Sequence, residues 1–429
     1  MNDYRKLELQ RKANHKKEEY KYFVGTTEKN PLEYRVGERI VFKIRAKHED
    51  AFLSVPYLRF FLTCDDGQVY DGFAEPAEDG WFYIETTLKK SGFAYLKAKA
   101  CDEEKRPIGE IDEFNGSACA NAEEILRASK IPVDYAAFRE SLCKAVEDCE
   151  PRVLYSQRIE SERFPDFETY NMRIAAPGSE YVSVCVSYPK GAQNGSLALA
   201  MFFQGYGVCS ADPIPRAGYL SVHVNAHCIR NGESHAYYDA LREGALKGYG
   251  FHAEENKSTS TSYWTKMILR DLQALHFFRE HPLLNQRDYF FLGSSQGGMQ
   301  ACNVAALFDR ATAVIMNVPG FADIYGDVAE GKRKSSMPKG DGIGYFDTAL
   351  AAEFLKCPAF IISGLGDSTC FPSTHLALFN AIHTPKYIEF YQNKTHSFTI
   401  PWDNCVYTMG DAALTERHMD LRAMYYDWN

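Results

Sequence analysis

A serine in a glycine-rich turn is the first candidate for chemistry in this sequence of 429 residues. The segment Gly293-Ser294-Ser295-Gln296-Gly297 follows an apolar run and precedes a helical pattern. A nucleophile held in a sharp turn between a strand and a helix needs small residues two positions before and after it, because larger side chains would collide there. The start of the helix also stabilises nearby negative charge. We therefore predict that Ser295 is a catalytic nucleophile.

A serine hydroxyl is a weak nucleophile until a base, itself oriented by an acid, removes its proton. Asp367 follows the apolar run AFIISG in a glycine-rich turn, and His396 follows the run YIEFY in a polar loop. Their order after the nucleophile predicts Asp367 as the acid and His396 as the base. The alternatives are a helix cap at Asp367 and a loop histidine without a role at His396. His375 and His383 compete as bases, but they lie on or beside a predicted helix.

Stabilising the oxyanion of an acyl-transfer reaction requires main-chain N–H groups near the attacked carbonyl. One such group comes from the residue after the nucleophile, which is Gln296. The second is expected from the loop after an early strand, and the glycine-flanked Tyr206 in FFQGYGV is the candidate. A glycine-rich turn without this role is the alternative interpretation of that loop.

Apolar runs alternate with helical patterns after residue 150, which is typical of a parallel sheet covered by helices on both faces. We predict strands near residues 168–174, 181–188, 197–203, 218–226, 288–293, 311–318, 359–364 and 387–391. We predict helices near residues 262–280, 296–307, 347–355 and 373–382. In this arrangement the nucleophile, acid and base all lie at the carboxyl edge of the sheet.

The residues before this region read as short strands separated by turns. Alternating polar and apolar residues predict strands at 39–47, 57–64, 81–88 and 93–101, and an antiparallel sandwich of immunoglobulin type. We divide the chain into a polar segment (1–20), a β-sandwich domain (21–115), a helical connector (116–150) and a catalytic α/β domain (151–429). The connector is predicted to hold two helical stretches separated by Ile131-Pro132.

Composition excludes several classes of protein. The formal net charge of −9 is the wrong sign for a nucleic-acid-binding surface. The first twenty residues lack the apolar stretch of a signal peptide, and no run of 18 apolar residues could span a membrane. Twelve cysteines without a CxxC pair favour free thiols over a disulfide framework or a zinc site. We therefore expect a cytoplasmic protein.

Three segments resemble the acetyl xylan esterase and cephalosporin C deacetylase family, carbohydrate esterase family seven. Gly293–Gly298 is similar to the family's GGSQGG elbow, and Phe203–Gly207 resembles its HGYxG loop. Gly364-Leu365-Gly366-Asp367 followed by Cys370-Phe371-Pro372-Ser373-Thr374 resembles its GLxD…CPPST segment and is the most specific match. The resemblance extends over roughly residues 120–400 and implies an α/β-hydrolase fold.

The resemblance implies a serine esterase that removes acetyl groups from small acetylated sugars without a metal or organic cofactor. It assigns Ser295, Asp367 and His396 to the triad and the N–H groups of Tyr206 and Gln296 to the oxyanion hole. The sequence departs from the family at three places. The segment Asn225-Ala226-His227-Cys228-Ile229-Arg230-Asn231-Gly232 stands where the family has RGQ, Ser397 follows the histidine where the family has Glu, and Gln204 replaces a His.

Other functions stay open at this point. The same triad could serve a carboxylesterase, a thioesterase or a peptidase, and a sugar-binding protein with an inactive hydrolase domain is an alternative from another class. The sandwich could bind sugar, mediate oligomerisation or act as a lid, and the chain could form a homo-oligomer. His227 and His235 are candidates for contact with substrate.

Overall fold

The computed structural model describes residues 20–326, 340–397 and 405–414. The predicted polar segment therefore lies, except for Tyr20, outside the described residues. None of the helices in these ranges is long and apolar enough to cross a membrane.

The N-terminal region consists of two antiparallel four-stranded sheets that pack face to face. One has the order β1-β2-β3, with β6 paired to the same edge of β2 as β3, and the second has the order β5-β4-β7-β8. The strands are β1 (Lys21–Thr27), β2 (Arg39–His48), β3 (Ala51–Phe52), β4 (Tyr57–Cys64), β5 (Val69–Ala74), β6 (Phe82–Thr87), β7 (Gly92–Cys101) and β8 (Phe114–Ala120). We call these eight strands the sandwich. The two packed antiparallel sheets confirm the predicted β-sandwich.

Alternation along the strands explains why the two sheets pack together. Leu58 and Leu62 of β4 are buried between the sheets, in one apolar cluster with Phe42 and Ile44 of β2. Phe61 of β4 points the other way and is 46% exposed. Successive strand side chains face opposite sides of a sheet, so one face of β4 builds the core and the other remains available for contacts.

The predicted helical connector over residues 116–150 is wrong in its first half. Residues 116–120 belong to β8, and the following chain forms only a short 3-10 turn, Ala122–Glu124. The chain after this turn makes tertiary hydrogen bonds in place of helical ones. The N–H groups of Ala128 and Ser129 both donate to Asp323 Oδ1, at 2.8 and 2.9 Å. The second helical stretch is confirmed as α1 (Tyr135–Glu147). We accordingly propose that the sandwich ends near Ala120 rather than at residue 115.

The remaining chain forms one ten-stranded sheet with helices. Its strands are β9 (Val153–Arg158), β10 (Phe167–Ala176), β11 (Ser179–Pro189), β12 (Leu197–Phe203), β13 (Tyr219–Val224), β14 (Leu284–Ser294), β15 (Ala313–Asn317), β16 (Ala359–Gly364), β17 (Lys386–Tyr391) and β18 (Val406–Gly410). Its helices are α2 (His235–Glu243), α3 (Tyr263–Phe278), α4 (Gln296–Leu307), α5 (Thr348–Ala352) and α6 (Pro372–Ala381).

Strand order places the candidate residues at one edge of this sheet. The order is β18-β17-β16-β15-β14-β12-β13-β11-β10-β9, and the six strands from β13 to β17 pair in parallel. Strand β12 lies between β13 and β14, so the chain leaves it first to one side and then to the other. Ligands bind at the carboxyl end of such a switch point, because the connections diverge and leave a crevice. The loop after β12 and the turn after β14 both lie there.

Two loops at this edge are held by the sandwich. We call residues 364–371 the acid loop and residues 391–397 the base loop. In the base loop, the side-chain amide of Gln392 accepts a hydrogen bond from Ser117 N at 3.1 Å and donates one to Ser117 O at 3.2 Å. Asn393 Oδ1 likewise accepts from Asn115 N at 2.8 Å. Both amides therefore bind the free edge of β8 as a neighbouring strand would.

Candidate active site

The turn between β14 and α4 has the geometry that the sequence predicted. Ser295 adopts φ 55° and ψ −118°, a conformation that costs free energy for a residue with a side chain. A Cβ atom at Gly293 would lie 1.9 Å from the carbonyl oxygen of Gly297. One at Gly297 would lie 2.0 Å from the carbonyl oxygen of Phe203. Glycine is therefore required on both sides of the serine, because the turn packs directly against the end of β12.

Ser295, His396 and Asp367 form one hydrogen-bonded array. The distance from His396 Nε2 to Ser295 Oγ is 3.0 Å, and that from His396 Nδ1 to Asp367 Oδ2 is 2.8 Å. An ionised carboxylate only accepts hydrogen bonds, so Nδ1 carries the proton and Nε2 is free to accept the hydroxyl proton. The array is arranged for proton transfer from Ser295 to His396.

The second oxygen of Asp367 fixes the orientation of the carboxylate. Asp367 Oδ1 accepts hydrogen bonds from the N–H groups of Thr369 and Cys370, at 2.8 and 2.9 Å. The side chain is fully buried. The alternative role as a helix cap is wrong, because the N-cap of α6 is Phe371 and no side chain caps that helix. Asp367 Oδ1 instead fixes the turn before the helix, and Oδ2 remains available to His396.

The acid loop and the base loop lie side by side. Gly366 N donates to the carbonyl oxygen of Lys394 at 3.0 Å, which extends the parallel pairing of β16 and β17 into the two loops. The same loop places the Cys370 thiol beside the Ser295 hydroxyl. Burial raises the pKa of this thiol well above its usual value, so Cys370 contacts the nucleophile as a neutral group.

The competing histidines do not reach Ser295. His375 is fully buried and its two ring nitrogens are occupied by Pro319 O at 3.0 Å and Ser363 Oγ at 2.8 Å. Burial lowers the pKa of His375 to about 4, so the ring is neutral at neutral pH. His383 is exposed beyond the end of α6.

The loop after β12 passes close to Ser295. A Cβ atom at Gly205 would lie 3.8 Å from the Cβ atom of Ser295. In the part of the chain that the structure describes, neither the main-chain N–H of Tyr206 nor that of Gln296 has a hydrogen-bond acceptor. Two unpaired donors beside the nucleophile are the arrangement that an oxyanion hole requires.

A buried tyrosine links the two candidate donors. The Tyr249 hydroxyl accepts a hydrogen bond from Gly207 N at 3.0 Å and donates one to Gln296 Oε1 at 2.8 Å. The Tyr249 ring also stacks on that of Tyr206, with centroids 4.4 Å apart. One hydroxyl thus sets the spacing between the loop after β12 and the first residue of α4.

His227 supports the same loop from behind. Its Nε2 atom lies 2.9 Å from the carbonyl oxygen of Gly207, so Nε2 carries the proton and Nδ1 accepts from the Tyr263 hydroxyl at 2.7 Å. Burial lowers the pKa of His227 to about 4, which keeps the ring neutral. The other candidate for substrate contact, His235, is the exposed first residue of α2.

Tyr249→Phe should lower kcat about 10- to 100-fold and leave KM within about threefold. The variant keeps the ring but removes the hydroxyl that joins Gly207 to Gln296, and small misplacements of catalytic groups cost about this much. The matched control is Tyr238→Phe, because the Tyr238 hydroxyl also bridges two main-chain groups, Glu233 N and Arg230 O. Equal losses of kcat in both variants, measured on p-nitrophenyl acetate, would contradict the positioning role of Tyr249.

Gln392→Ala should lower both stability and kcat. It leaves the Ser117 N–H and C=O groups buried without a partner, at about 1–3 kcal/mol for each group. It also releases the loop that carries His396, and we expect kcat to fall about tenfold. Gln273→Ala is the control, since the buried Gln273 amide binds the carbonyl oxygens of Cys149 and Ala175. Thermal melting should shift in both variants, and a loss of kcat in Gln273→Ala alone or in both would contradict the prediction.

Sequence reasoning missed Tyr249, Gln392 and Asn393. None belongs to a short motif, and each acts through a contact that is remote in sequence. The adjacent Gln392 and Asn393 between an apolar strand and the candidate base were the only local signal. Among the described residues, no group of three or more His, Cys, Asp or Glu side chains could hold a metal ion.

Comparison with known proteins places these features in a family. A model of the family acetyl xylan esterase (AXE1) matches residues 122–335 and 325–408. The acetyl esterase Axe7A of Xylanibacter ruminicola is 21% identical over 275 residues, which cover 60% of this chain and 62% of that protein. The chain thus spans about three fifths of the length of that relative.

Two solved structures share the fold. The acetyl xylan esterase from Paenibacillus sp. R4 has a TM-score of 0.54 at 15% identity, and the match covers 71% of this chain and 98% of that one. Acetyl xylan esterase 1 from Thermoanaerobacterium sp. JW/SL YS485 has a TM-score of 0.52 at 17% identity, covering 71% and 96%. Both likenesses show the fold, which is that of the α/β-hydrolases.

The family match spans about two thirds of the chain, from residue 122 to residue 408. It contains the loop after β12, the turn after β14, the acid loop and the base loop, and it leaves the sandwich outside. The chain belongs to the acetyl xylan esterase family.

Proposed function

We propose that this protein is a serine esterase that removes O-acetyl groups from acetylated xylo-oligosaccharides or related small sugars through an acyl-enzyme intermediate. The observation that carries the proposal is the hydrogen-bonded array of Ser295, His396 and Asp367 in a chain of the acetyl xylan esterase family. The names of the similar proteins support acetyl as the acyl group.

In the first half of the proposed reaction, Ser295 Oγ attacks the acetyl carbonyl carbon while His396 Nε2 takes the hydroxyl proton. The buried Asp367 carboxylate stabilises the imidazolium that forms. The N–H groups of Tyr206 and Gln296 donate to the oxyanion of the tetrahedral intermediate. The intermediate collapses when His396 gives its proton to the departing sugar hydroxyl, which leaves Ser295 acetylated.

In the second half, water takes the place of the sugar. His396 removes a proton from the water, the resulting nucleophile attacks the acetyl-serine carbonyl, and acetate leaves as the proton returns to Ser295 Oγ. The same two N–H groups bind the second oxyanion. These steps need no metal and no organic cofactor.

Free thiols support a cytoplasmic location. The twelve cysteines are unpaired, and seven of them are buried. Disulfide bonds form and persist in oxidising compartments, whereas cytosolic thiols are kept reduced. Oligomeric assembly is a separate proposal, and light scattering of the purified protein tests it.

The substrate is tested by acetate release from acetylated xylo-oligosaccharide, beside hydrolysis of p-nitrophenyl esters of two, four and eight carbons. Ser295→Ala provides the blank. Acetate release that the variant abolishes, together with a strong preference for the two-carbon ester, is expected. Activity only on longer esters or on thioesters or peptides would replace the substrate and keep the triad. Sugar binding without any Ser295-dependent hydrolysis would instead favour the inactive binding protein.

A further inference from the structure

A cavity of about 200 Å³ lies between the sandwich and the acid loop. Strands β4, β7 and β8 form one wall, and Leu365, Gly366, Asp367 and Ser368 contribute to the other. The two walls are fixed to each other, because the Tyr95 hydroxyl donates to Ser373 Oγ at 2.9 Å. The acid loop thus borders the candidate active site with the Asp367 side chain and this cavity with its other face.

Aromatic rings provide the apolar part of the lining. Phe61 extends from the outer face of β4 and is 46% exposed, and it contributes to the lining of the cavity. Phe371 at the end of the acid loop lines the cavity too, with its ring packed edge-on against Tyr95 at 5.6 Å between centroids. Phe61 is therefore the partly exposed ring of this lining and is accessible to a bound molecule.

Three polar side chains surround these rings. Lys97 lies directly across from Phe61 in the pairing of β4 and β7, and Asn115 lies across from Lys97 in the pairing of β7 and β8. Ser368 comes from the acid loop. Within residues 20–326, 340–397 and 405–414, no side-chain hydrogen bond or ion pair engages any of the three. Together they offer an ammonium group, a carboxamide and a hydroxyl.

This combination fits one sugar ring. A pyranose has an apolar C–H face that an aromatic ring can cover and equatorial hydroxyls that both donate and accept hydrogen bonds. The carboxamide and the hydroxyl here also do both, whereas one lysine without a second cation is a poor anion site. The volume is below the roughly 300–1,000 Å³ of pockets for drug-sized ligands, which suits a single ring.

We propose that this cavity is a subsite for one sugar ring of an oligosaccharide substrate, and that the sandwich supplies part of the substrate specificity. The proposal rests on the proposed function and assigns it a substrate longer than a single sugar. Phe61 stacks on the ring, and Lys97, Asn115 and Ser368 bind its hydroxyls.

The test compares Phe61→Ala, Phe61→Tyr and Phe73→Ala. Phe73 lies on the same outer face of the sheet, is 42% exposed and does not line the cavity, so Phe73→Ala is a matched control. Binding of unacetylated xylo-oligosaccharides of two to five residues is measured by isothermal titration calorimetry. Hydrolysis of acetylated oligosaccharide and of p-nitrophenyl acetate is measured in parallel, with thermal melting to check folding.

Phe61→Ala should raise Kd for the oligosaccharide about tenfold and lower kcat/KM on the acetylated oligosaccharide equally, with p-nitrophenyl acetate unchanged. Phe61→Tyr and Phe73→Ala should bind as the wild type does. Unchanged binding in Phe61→Ala, or equal losses on both esters, would overturn the subsite. Wild-type protein that binds sugar through Phe61 but hydrolyses no acetyl ester would overturn the proposed function and leave the subsite standing.

Discussion

Ser295→Ala should lower kcat/KM on p-nitrophenyl acetate about 10⁵- to 10⁶-fold, the loss seen when a triad nucleophile is removed from other serine hydrolases. In the proposed reaction the oxygen of this hydroxyl bonds to the acetyl carbon. The neighbouring Cys370 thiol cannot replace it, because burial keeps the thiol protonated. The melting temperature should stay within a few degrees, since alanine retains the backbone conformation at φ 55°.

Ser294→Ala is the control for that substitution. Ser294 precedes the nucleophile in the same turn, and its hydroxyl accepts a hydrogen bond from Asn317 Nδ2 at 2.9 Å. We expect this variant to keep activity within about tenfold, because its hydroxyl is engaged away from His396. If Ser295→Ala retained more than about 1% of wild-type activity, another group would have to be the nucleophile.

Asp367→Asn should lower kcat about 10³- to 10⁴-fold without unfolding the protein. The carboxylate accepts from three donors, namely His396 Nδ1 on one oxygen and the N–H groups of Thr369 and Cys370 on the other. An amide has only one oxygen. If its NH₂ group faces His396, the histidine takes the wrong tautomer, and if it faces the two N–H groups, donors oppose donors. Either orientation disturbs the array.

The control for this prediction is Asp66→Asn. Asp66 also accepts main-chain N–H donors with both oxygens, from Gln68 and from Lys89, but it lies in the sandwich. Steady-state rates on p-nitrophenyl acetate and thermal melting separate the two effects. A loss of less than about tenfold in Asp367→Asn, or an equal loss in Asp66→Asn, would argue that Asp367 has a purely structural role.

Local patterns predicted much of the catalytic half, because its elements carry strong periodicity. The predicted bounds of helix α4 are the observed ones. The predicted range for α3 is longer than the observed helix by three residues: its N-cap, Ser262, and two residues at its end. Strand β8 was missed. Its sequence FNGSACA lacks β-branched residues, and it forms a strand because it pairs with β7 and because Gln392 and Asn393 bind its other edge.

The same reasoning explains the helix that did not form before residue 131. The residues around Glu123 to Arg127 have good helix propensity, but tertiary contacts override it. The Asn380 side chain donates to the carbonyl oxygens of Ala122 and Ile125, each at 3.0 Å, and these bonds hold the segment in its observed path. Propensity describes a segment alone, whereas these bonds come from residues more than 250 positions away.

For the candidate site, sequence reasoning predicted the three side chains that the structure brings together, and it missed the residues that hold them in place. Motifs fix Ser295 and Asp367, because a sharp turn and a buried acid each impose local requirements on neighbouring residues. The placement of His396 relies on fold order alone. Tyr249 and Gln392 act through single hydrogen bonds across the fold, for which a sequence carries no local signature.

The side-chain amides of the base loop that bind the edge of β8 determine how this protein could be divided. An unpaired strand edge is a template for association with other chains, and natural proteins cover or interrupt such edges. Here Gln392 and Asn393 provide that cover from the other half of the molecule. If the chain were divided near residue 120, the C-terminal part would lose the strand that supports its base loop. The separated sandwich would expose the edge of β8, where other chains could pair. Each half therefore stabilises a segment of the other, and we expect the two to be expressed best as one chain.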